Sequence, residues 1–442
     1  MRKIHAVPML LLGLAACDST LQLEPTTEVP EERAITDAAS ARAALAGIYD
    51  ALTDDSYYGG DFVFFTDLSS DDVQHTGTFT TFGDADRNQL RAENTTVDAI
   101  WTAIYRTIGR ANTLIARLPE LEDLDADERD QMLGEAYFIR ALSYHNLVKL
   151  WGGVPLRTEP PASVDEASDI TRATVEEVYA QIHSDLDQAE SLLTNASDPR
   201  SASIGAVHAL RSRVFLYEGR WADVVAAADV VLGMDYDLAP EFSDLFDAEG
   251  APTPEDIFRI AFTAQEYNYL GYYYLTRSAG GRYEVAPEDA LAALFDPADE
   301  RLAWSIAYDE DEIYGTKFPT SAGTEDVHVI RLAEVILNKA EALARMGGAA
   351  DLAEAVAAYN RIRARAGLPT HTLGTEVTSA AEVLAEVRLQ RRLELAFEGD
   401  RFADMVRAGE ATAAGIPEYQ QLYPIPQAER DVAPGLTQNP GY

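Results

Sequence analysis

One long helix, predicted between Asp125 and Pro160, constrains the fold more than any other stretch of the chain. Asp125 and Glu128 have the spacing of an Asx capping box, which marks a helix N-terminus. Gly152 and Gly153 mark its end, because glycine readily adopts the conformation that closes a helix. Apolar residues cover most of the circumference between these signals. Such a helix is normally buried among other helices, so we expect a helical protein with this helix at its centre.

Helical periodicity recurs elsewhere, and we expect the scaffold mainly in residues 38–53, 97–233 and 327–408. Within it, Ser203–Gly233 and Val327–Gly367 each show a helix, a glycine-containing turn and a second helix. This arrangement is typical of a tetratricopeptide-like hairpin, although no strict repeat runs through the chain. The predicted fold class is therefore all-α, built from divergent helical hairpins, with a large loop-rich, aromatic insert.

Two irregular regions, residues 54–96 and 235–326, interrupt this scaffold and carry a heavy load of aromatic residues. Loops of this length inside a compact domain are usually functional. We expect residues 54–96 to form an aromatic and acidic surface region and residues 235–326 to form a loop-rich insert. Scaffold and loops together are expected to form one domain, residues 38–442.

The N-terminal residues 1–16 have the features of a signal peptide, because Arg2 and Lys3 precede a short apolar run. The run ends in the lipobox LAAC at residues 14–17, and Cys17 is the only cysteine of the chain. We expect cleavage before Cys17 and its acylation, with residues 17–37 as lipidated N-terminus and polar tether. An ordinary secretory signal followed by a chance cysteine is the alternative.

The charge of the chain restricts its partners and its chemistry. The formal charge is −39, which becomes −41 once the leader is removed with its two cations and no acid. A nucleic acid would be repelled by such a chain. With 74 Asp and Glu residues, paired carboxylates occur by chance and do not indicate catalysis. No nucleophile elbow, phosphate-binding loop, dinucleotide fingerprint or zinc motif is present in the sequence.

No cofactor and no metal site follow from the sequence. The seven histidines are scattered and fit packed or surface positions better than ligand positions. Asp71-Asp72 and the acidic run at 309–312 offer the hard oxygens that calcium prefers. In so acidic a chain, a solvated charge run is the simpler interpretation, and structural calcium stays an open alternative.

Several motifs occur in an order that carries a family resemblance. They are GEAYFIRAL at 134–142, LVKLWGGVPL at 147–156, AP through DER at 286–301, VIRLAEV with AEA at 329–342, YNRIR at 359–363, RRLEL with EGDR at 391–401, YPIP at 423–426 and QNPGY at 438–442. Together with the lipobox, they resemble the SusD/RagB family. Members of that family are surface-exposed lipoproteins that bind nutrients for TonB-dependent outer-membrane transporters. The chain departs slightly from the family pattern at Asn338-Lys339.

The resemblance implies about four tetratricopeptide-like helical pairs and a loop-rich face that binds an oligosaccharide, a polysaccharide or another nutrient. It also implies a partner of the SusC type, a TonB-dependent barrel on which the lipoprotein sits as a lid, and hence a place at the outer-membrane surface. No catalysis is implied. Two alternatives remain from the residues alone: a helical-repeat protein-assembly lipoprotein, and a surface glycoside hydrolase.

Ligand-binding candidates follow from chemistry and region. Sugar rings stack on tyrosine or tryptophan, while their hydroxyls pair with carboxylates and amides. The resemblance implies that such residues lie in the region after the first helix and in the mid-chain insert. The candidates are Asp67, Asp71, Gln74, Tyr273, Tyr283 and Trp304.

Overall fold

The computed structural model describes residues 35–160, 170–194, 198–247 and 250–442. The predicted signal peptide, Cys17 and all but the end of the predicted tether lie outside the described residues. The described part is mostly helical. None of its helices combines the length and the apolar character needed to cross a bilayer.

The helices are numbered in chain order within the described ranges. They are α1 Ala38–Leu52, α2 Asp61–Leu68, α3 Thr80–Asp86, α4 Thr95–Arg117, α5 Ala126–Trp151, α6 Val175–Leu192, α7 Ile204–Glu218, α8 Trp221–Leu232, α9 Leu270–Tyr274, α10 Asp289–Ala292, α11 Leu302–Ser305, α12 Leu332–Met346, α13 Ala349–Arg365, α14 Ala380–Glu394, α15 Arg401–Ala408 and α16 Gln427–Val432.

Six short strands accompany the helices and form three antiparallel pairs, β1 with β3, β2 with β6 and β4 with β5. Their bounds are β1 Val73–His75, β2 Asp256–Ile260, β3 Val285–Pro287, β4 Ile306–Asp309, β5 Glu312–Gly315 and β6 Val327–Arg331. The prediction of a helical fold is confirmed, because the described part is mostly helical, but the six short strands were not predicted. Two of the three pairs join segments far apart in the chain, and local periodicity carries no signal for such pairing.

The central position predicted for the long helix is confirmed. Every residue of α5 from Phe138 to Trp151 is buried, and the helix packs against both α4 and α6. The Asp125 carboxylate accepts hydrogen bonds from two backbone amides of the first turn, at 3.0 and 3.4 Å. Gly152 closes the helix with φ +72°. Between α5 and α6, the Arg140 guanidinium donates to both carboxylate oxygens of the buried Asp185, at 2.9 and 2.6 Å.

Only half of the predicted capping box forms at the start of α5. The Glu128 side chain does not return to the backbone of Asp125, because it forms a two-point ion pair with Arg42 of α1, at 2.5 and 2.8 Å. The guanidinium gives the carboxylate two charge-assisted bonds where the cap would give one, so the contact between helices replaces the local one.

Two helical hairpins lie where the sequence predicts them. Helices α7 and α8 are joined at Gly219, and α12 and α13 at Gly347, each glycine having a positive φ. In both units the two helices pack against each other, and α8 also packs on α12. The start of the second unit differs from the prediction, because residues 327–331 form strand β6 before helix α12 begins.

The last part of the predicted scaffold, up to Ala408, contains two helices, α14 and α15. The break contains Phe397 at φ +68° and Gly399 at φ +78°. A side chain at Gly399 would meet the backbone of Val63 at 3.0 Å, so the close approach of α2 requires glycine here. The proline-rich tail is docked on the central helix, because Trp151 donates to the Pro424 carbonyl at 2.9 Å. It also contains the short helix α16, which was not predicted.

Buried ion pairs fasten the mid-chain insert to the helical scaffold. Arg301 and Lys317 of the insert contact Glu394 at 3.2 Å and Glu398 at 2.8 Å, respectively. Arg331 of β6 contacts the same two glutamates, at 2.6 and 2.8 Å. Removing one partner of a buried pair is strongly destabilising, so this network sets the position of the insert.

Candidate ligand-binding site

The aromatic residues of region 54–96 lie in the interior, so the prediction of an aromatic surface region there is wrong. Helix α2 carries the run Phe62-Val63-Phe64-Phe65, and each of these side chains is at most 2% exposed. Phe64 and Phe65 pack edge-on against Phe82 of α3, with ring centroids at 5.1 and 6.1 Å. An apolar run without alternation belongs to an element buried on all sides, and this outweighs the irregular pattern around it.

The tyrosines at the start of the insert, by contrast, reach the surface. Tyr267, Tyr269, Tyr272 and Tyr273, here called the tyrosine cluster, form a chain of ring contacts with centroids 5.2 to 6.2 Å apart. Tyr267 is 43% exposed, and the other three are half-buried. Tyr273 packs on Phe64 at 5.0 Å, so the buried phenylalanines support the cluster from below. The exposed rings form a rigid aromatic surface.

The tyrosine cluster borders a shallow cleft of about 550 Å³, here called the tyrosine cleft. One wall consists of Tyr267 and Tyr269, and the other comes from the end of α1, the turn after it and α4. The residues that line it are Asp50, Ala51, Thr53, Asp54, Asp55, Ser56, Arg106, Arg110, Gln265, Glu266, Tyr267 and Tyr269. A second cleft of about 490 Å³ continues along α1 and shares Asp50, Thr53 and Glu266 with the first.

Polar groups of opposite charge line the tyrosine cleft. Arg106 of α4 contacts Asp54 at 2.5 Å, and Arg110 contacts Asp50 of α1 at 2.8 Å. Within the described residues, the carboxylates of Asp55 and Glu266 form no ion pair. The arrangement therefore offers aromatic faces for stacking and free acceptors for hydroxyl groups.

Burial and neighbouring groups raise the pKa values of three ionisable groups around the cluster. The hydrogen bond between the hydroxyls of Tyr267 and Tyr269, at 3.2 Å, together with burial raises the pKa of Tyr269. Burial raises the pKa of Tyr273 to about 12, with the Asp61 charge adding to the effect. Burial also raises the pKa of Asp61 itself to about 7, although its hydrogen bond from Ser56 opposes the shift. The hydroxyls of Tyr269 and Tyr273 are consequently protonated donors at neutral pH.

Comparisons with known proteins identify the family. The model of a family described as SusD-like, starch-binding and associating with the outer membrane matches residues 24–216, and the model of the SusD family matches residues 314–421. The chain belongs to the SusD/RagB family. This is a family of glycan-binding proteins, not of enzymes.

Individual relatives agree with this assignment, one of them over nearly the whole chain. SusD-like protein P38 of Formosa agariphila is 27% identical over 97% of this chain and 96% of its own length. The starch-binding protein SusD of Bacteroides thetaiotaomicron is 27% identical over 48% of this chain and 36% of its own. Among solved structures, a laminarin binding SusD-like protein has a TM-score of 0.82 and 26% identity, covering 92% of this chain and 100% of that one.

The predicted site residues of this SusD/RagB protein do not form one constellation. Asp67 is 1% exposed on the inner side of α2, where it accepts a hydrogen bond from the Gly399 amide at 3.2 Å. Its predicted surface position is therefore wrong. Asp71 is held by Arg401 at 2.8 Å and by Arg392 at 3.2 Å. These arginines occupy the oxygens that the sequence offered to calcium.

The remaining four candidates lie in different environments. Gln74 lies on β1 and donates to the Pro287 carbonyl at 3.0 Å, and the Tyr283 hydroxyl donates to the Ile313 carbonyl at 2.9 Å. Trp304 is 39% exposed on α11. In the described part of the chain, its side chain has no hydrogen bond or ring contact to the other five candidates. Only Tyr273 belongs to the tyrosine cluster.

None of the six candidates lines the tyrosine cleft, so sequence reasoning missed the residues that do. The close spacing of Tyr267, Tyr269, Tyr272 and Tyr273 between polar residues was the available signal for the aromatic wall. Arg106 and Arg110 gave no such signal, because their role depends on the packing of α4 beside α1. The second acidic run, at 309–312, begins with Asp309, which accepts hydrogen bonds from Ser278 and Thr276. No group of three or more potential metal ligands occurs among the described residues.

Proposed function

We propose that this protein is a surface-exposed lipoprotein that binds an oligosaccharide or polysaccharide in the tyrosine cleft and delivers it to a SusC-type TonB-dependent transporter. The observation that carries the proposal is the exposed tyrosine wall beside free carboxylates. Sugar rings have an apolar C–H face that stacks on aromatic rings, and hydroxyls that donate to carboxylates. The structural likeness to a laminarin binding SusD-like protein supports the same function.

The helical scaffold and the N-terminal lipid anchor have separate roles in the proposed function. Residues 38–442 act as one domain in which tetratricopeptide-like hairpins, α7–α8 and α12–α13 among them, hold the ligand face in place. Acylated Cys17 anchors the chain in the outer membrane, and residues 18–37 serve as a tether that permits movement relative to the transporter.

Binding is tested with purified residues 18–442 and a panel of glycans, using calorimetry for affinity and chromatography for chain length. We expect at least one glycan to bind without becoming shorter. Shortening of the glycan would favour the glycoside-hydrolase alternative, and an absence of binding across the panel would contradict glycan recognition.

A pair of variants assigns the binding to the cleft. Tyr267→Ala should lower the affinity about 10-fold, which corresponds to ~1.4 kcal/mol, because it removes part of the aromatic wall. Tyr419→Ala is the matched control, since Tyr419 is also 43% exposed but does not line the cleft. Equal losses in the two variants would mean that the cleft is not the site.

Anchor and partner need separate measurements. A Cys17→Ala variant expressed in the native host should leave the membrane fraction, and its retention there would rule out lipidation as the attachment. The wild-type lipoprotein, extracted in mild detergent, should co-purify with a TonB-dependent barrel. Recovery of the lipoprotein free of such a barrel, in every detergent that preserves barrel complexes, would contradict the delivery step.

A further inference from the structure

The cations along the tyrosine cleft and its extension beside α1 are all occupied by carboxylates of the protein. Arg106 contacts Asp54 at 2.5 Å and Arg110 contacts Asp50 at 2.8 Å. Arg200, which lines the extension, contacts Asp326 at 2.7 Å. An arginine attracts an acidic ligand by its positive charge, and a protein carboxylate in contact with the guanidinium weakens that attraction. These three guanidinium groups have their charge balanced before any ligand arrives.

The acids of the tyrosine cleft outnumber its cations. Four carboxylates, Asp50, Asp54, Asp55 and Glu266, stand against two guanidinium groups, which leaves a formal charge of −2. Asp55 and Glu266 have no cationic partner among the described residues. The whole chain adds a field of the same sign, with a formal charge of −39. A negatively charged ligand would therefore be repelled both at long range and within the cleft.

We infer that the tyrosine cleft selects neutral glycans and rejects glycans that carry carboxylate or sulfate groups. The inference rests on the proposed function and specifies the substrate class of the same site. Hydroxyl groups of a neutral sugar donate hydrogen bonds to the unpaired carboxylates, while the ring stacks on Tyr267 or Tyr269. A uronate or a sulfate ester has no free cation to meet in this cleft and places its charge beside Asp55 and Glu266.

The experiment compares matched pairs of polysaccharides that share a backbone and differ in charge. Suitable pairs are laminarin with laminarin sulfate, dextran with dextran sulfate, starch with carboxymethyl starch, and hydroxyethyl cellulose with carboxymethyl cellulose. Dissociation constants are measured by calorimetry with purified residues 18–442. In any pair that binds, the neutral member should bind at least about 30-fold more tightly at low salt, because like charges repel most strongly there.

Salt and charge variants show whether charge is the cause. The preference for the neutral polysaccharide should shrink as NaCl is raised from about 10 mM to about 1 M, because the screening length falls from ~30 Å to ~3 Å. The double variant Asp55→Asn/Glu266→Gln should also reduce the difference in affinity between the neutral and the anionic polysaccharide. Glu122→Gln/Glu418→Gln is the control, because it changes the net charge equally at exposed positions outside the cleft.

Each outcome has a definite meaning. An anionic member that binds as tightly as its neutral counterpart overturns the inference but leaves glycan binding intact. A preference that changes neither with salt nor in Asp55→Asn/Glu266→Gln also overturns it, because bulk and not charge would then be the cause. If no member of any pair binds, the proposed function fails and the inference fails with it.

Discussion

Two aromatic stretches of this protein have opposite positions in the fold. In residues 57–82 the rings point inward, and Phe64 and Phe65 are fully buried. In residues 267–273 they reach the surface, and Tyr267 is 43% exposed. The first stretch is dominated by phenylalanine and the second by tyrosine, whose hydroxyl needs a polar partner or water. Ring content alone therefore indicates neither burial nor binding.

The two stretches are also in contact, so one supports the other. Tyr273 packs edge-on against Phe64 and Phe82, at 5.0 and 5.9 Å. The backbone amide of Tyr269 donates to the Gly59 carbonyl at 2.7 Å, which ties the second stretch to the turn before α2. We expect variants of the buried stretch to lower stability and variants of the exposed stretch to lower affinity, and substitutions in and around the two stretches test this division.

Phe64→Ala should have the largest effect. The ring is fully buried between α2, α3 and the tyrosine cluster, so its removal leaves a cavity. The free energy of unfolding should fall by about 3–5 kcal/mol, measured by urea denaturation. Phe64→Leu is the control and should cost clearly less, because it fills most of the volume. A stable Phe64→Ala protein with lost affinity would reverse the assignment of this stretch.

Tyr273→Ala should affect both properties, because this residue belongs to the cluster and packs on the buried rings. We expect a loss of about 2 kcal/mol in the free energy of unfolding and a several-fold weaker affinity for the bound glycan. Tyr273→Phe should retain the stability, since the ring contacts remain. A loss of affinity with unchanged stability in Tyr273→Ala would place the residue wholly with the exposed surface.

Asp67→Asn should change how stability depends on pH. Burial, reinforced by the charge of Asp72, raises the pKa of Asp67 well above its usual value. The folded state therefore retains this proton at pH values where the unfolded chain has lost it, and stability falls as pH rises above about 4. The amide has no proton to lose in this range, so the variant should gain about 1 kcal/mol or more relative to wild type at pH ~8 compared with pH ~4.

Asp71→Asn is the control of opposite sign. Burial alone would raise the pKa of Asp71, but the hydrogen bond and charge of Arg401, with Arg392, lower it overall. A depressed pKa contributes stability that is present above the unfolded value and is lost in acid. Asp71→Asn should therefore lose more stability at neutral pH than near pH ~3. Parallel pH profiles for the two variants would contradict the contrast between these neighbouring carboxylates.

Trp304→Ala should have the smallest effect. The side chain is 39% exposed on α11 and does not line the tyrosine cleft, so stability should change by no more than about 0.5 kcal/mol. Affinity should fall about 2-fold or less, because a contact outside the cleft contributes little to the bound state. Tyr308→Ala, at a neighbouring position that is 60% exposed, is the control. A 10-fold loss in Trp304→Ala alone would extend the binding surface to α11.

Local sequence signals predicted the helical part of this protein well. Apolar residues at helical spacing indicate α1 at Ala38–Leu52, and Thr174 with Glu177 has the spacing of the capping box that begins α6. Buried α5, with its Asp125 cap and Gly152 end, follows from the same signals. These features depend on residues three or four positions apart, and such spacing is visible in one dimension.

The ordered motifs were sufficient to recognise the SusD/RagB family, and the paired helices, the closing glycines and the buried central helix follow from the sequence by itself. Tertiary structure alone decided the burial of Asp67, the replacement of the Glu128 cap by an ion pair with Arg42, and the meeting of Arg106 and Arg110 with the acids of the tyrosine cleft. Each of these depends on side chains brought together from distant positions. The tertiary packing of distant segments determines which side chains are buried and which charges are paired. The spacing of residues along the chain does not encode this packing.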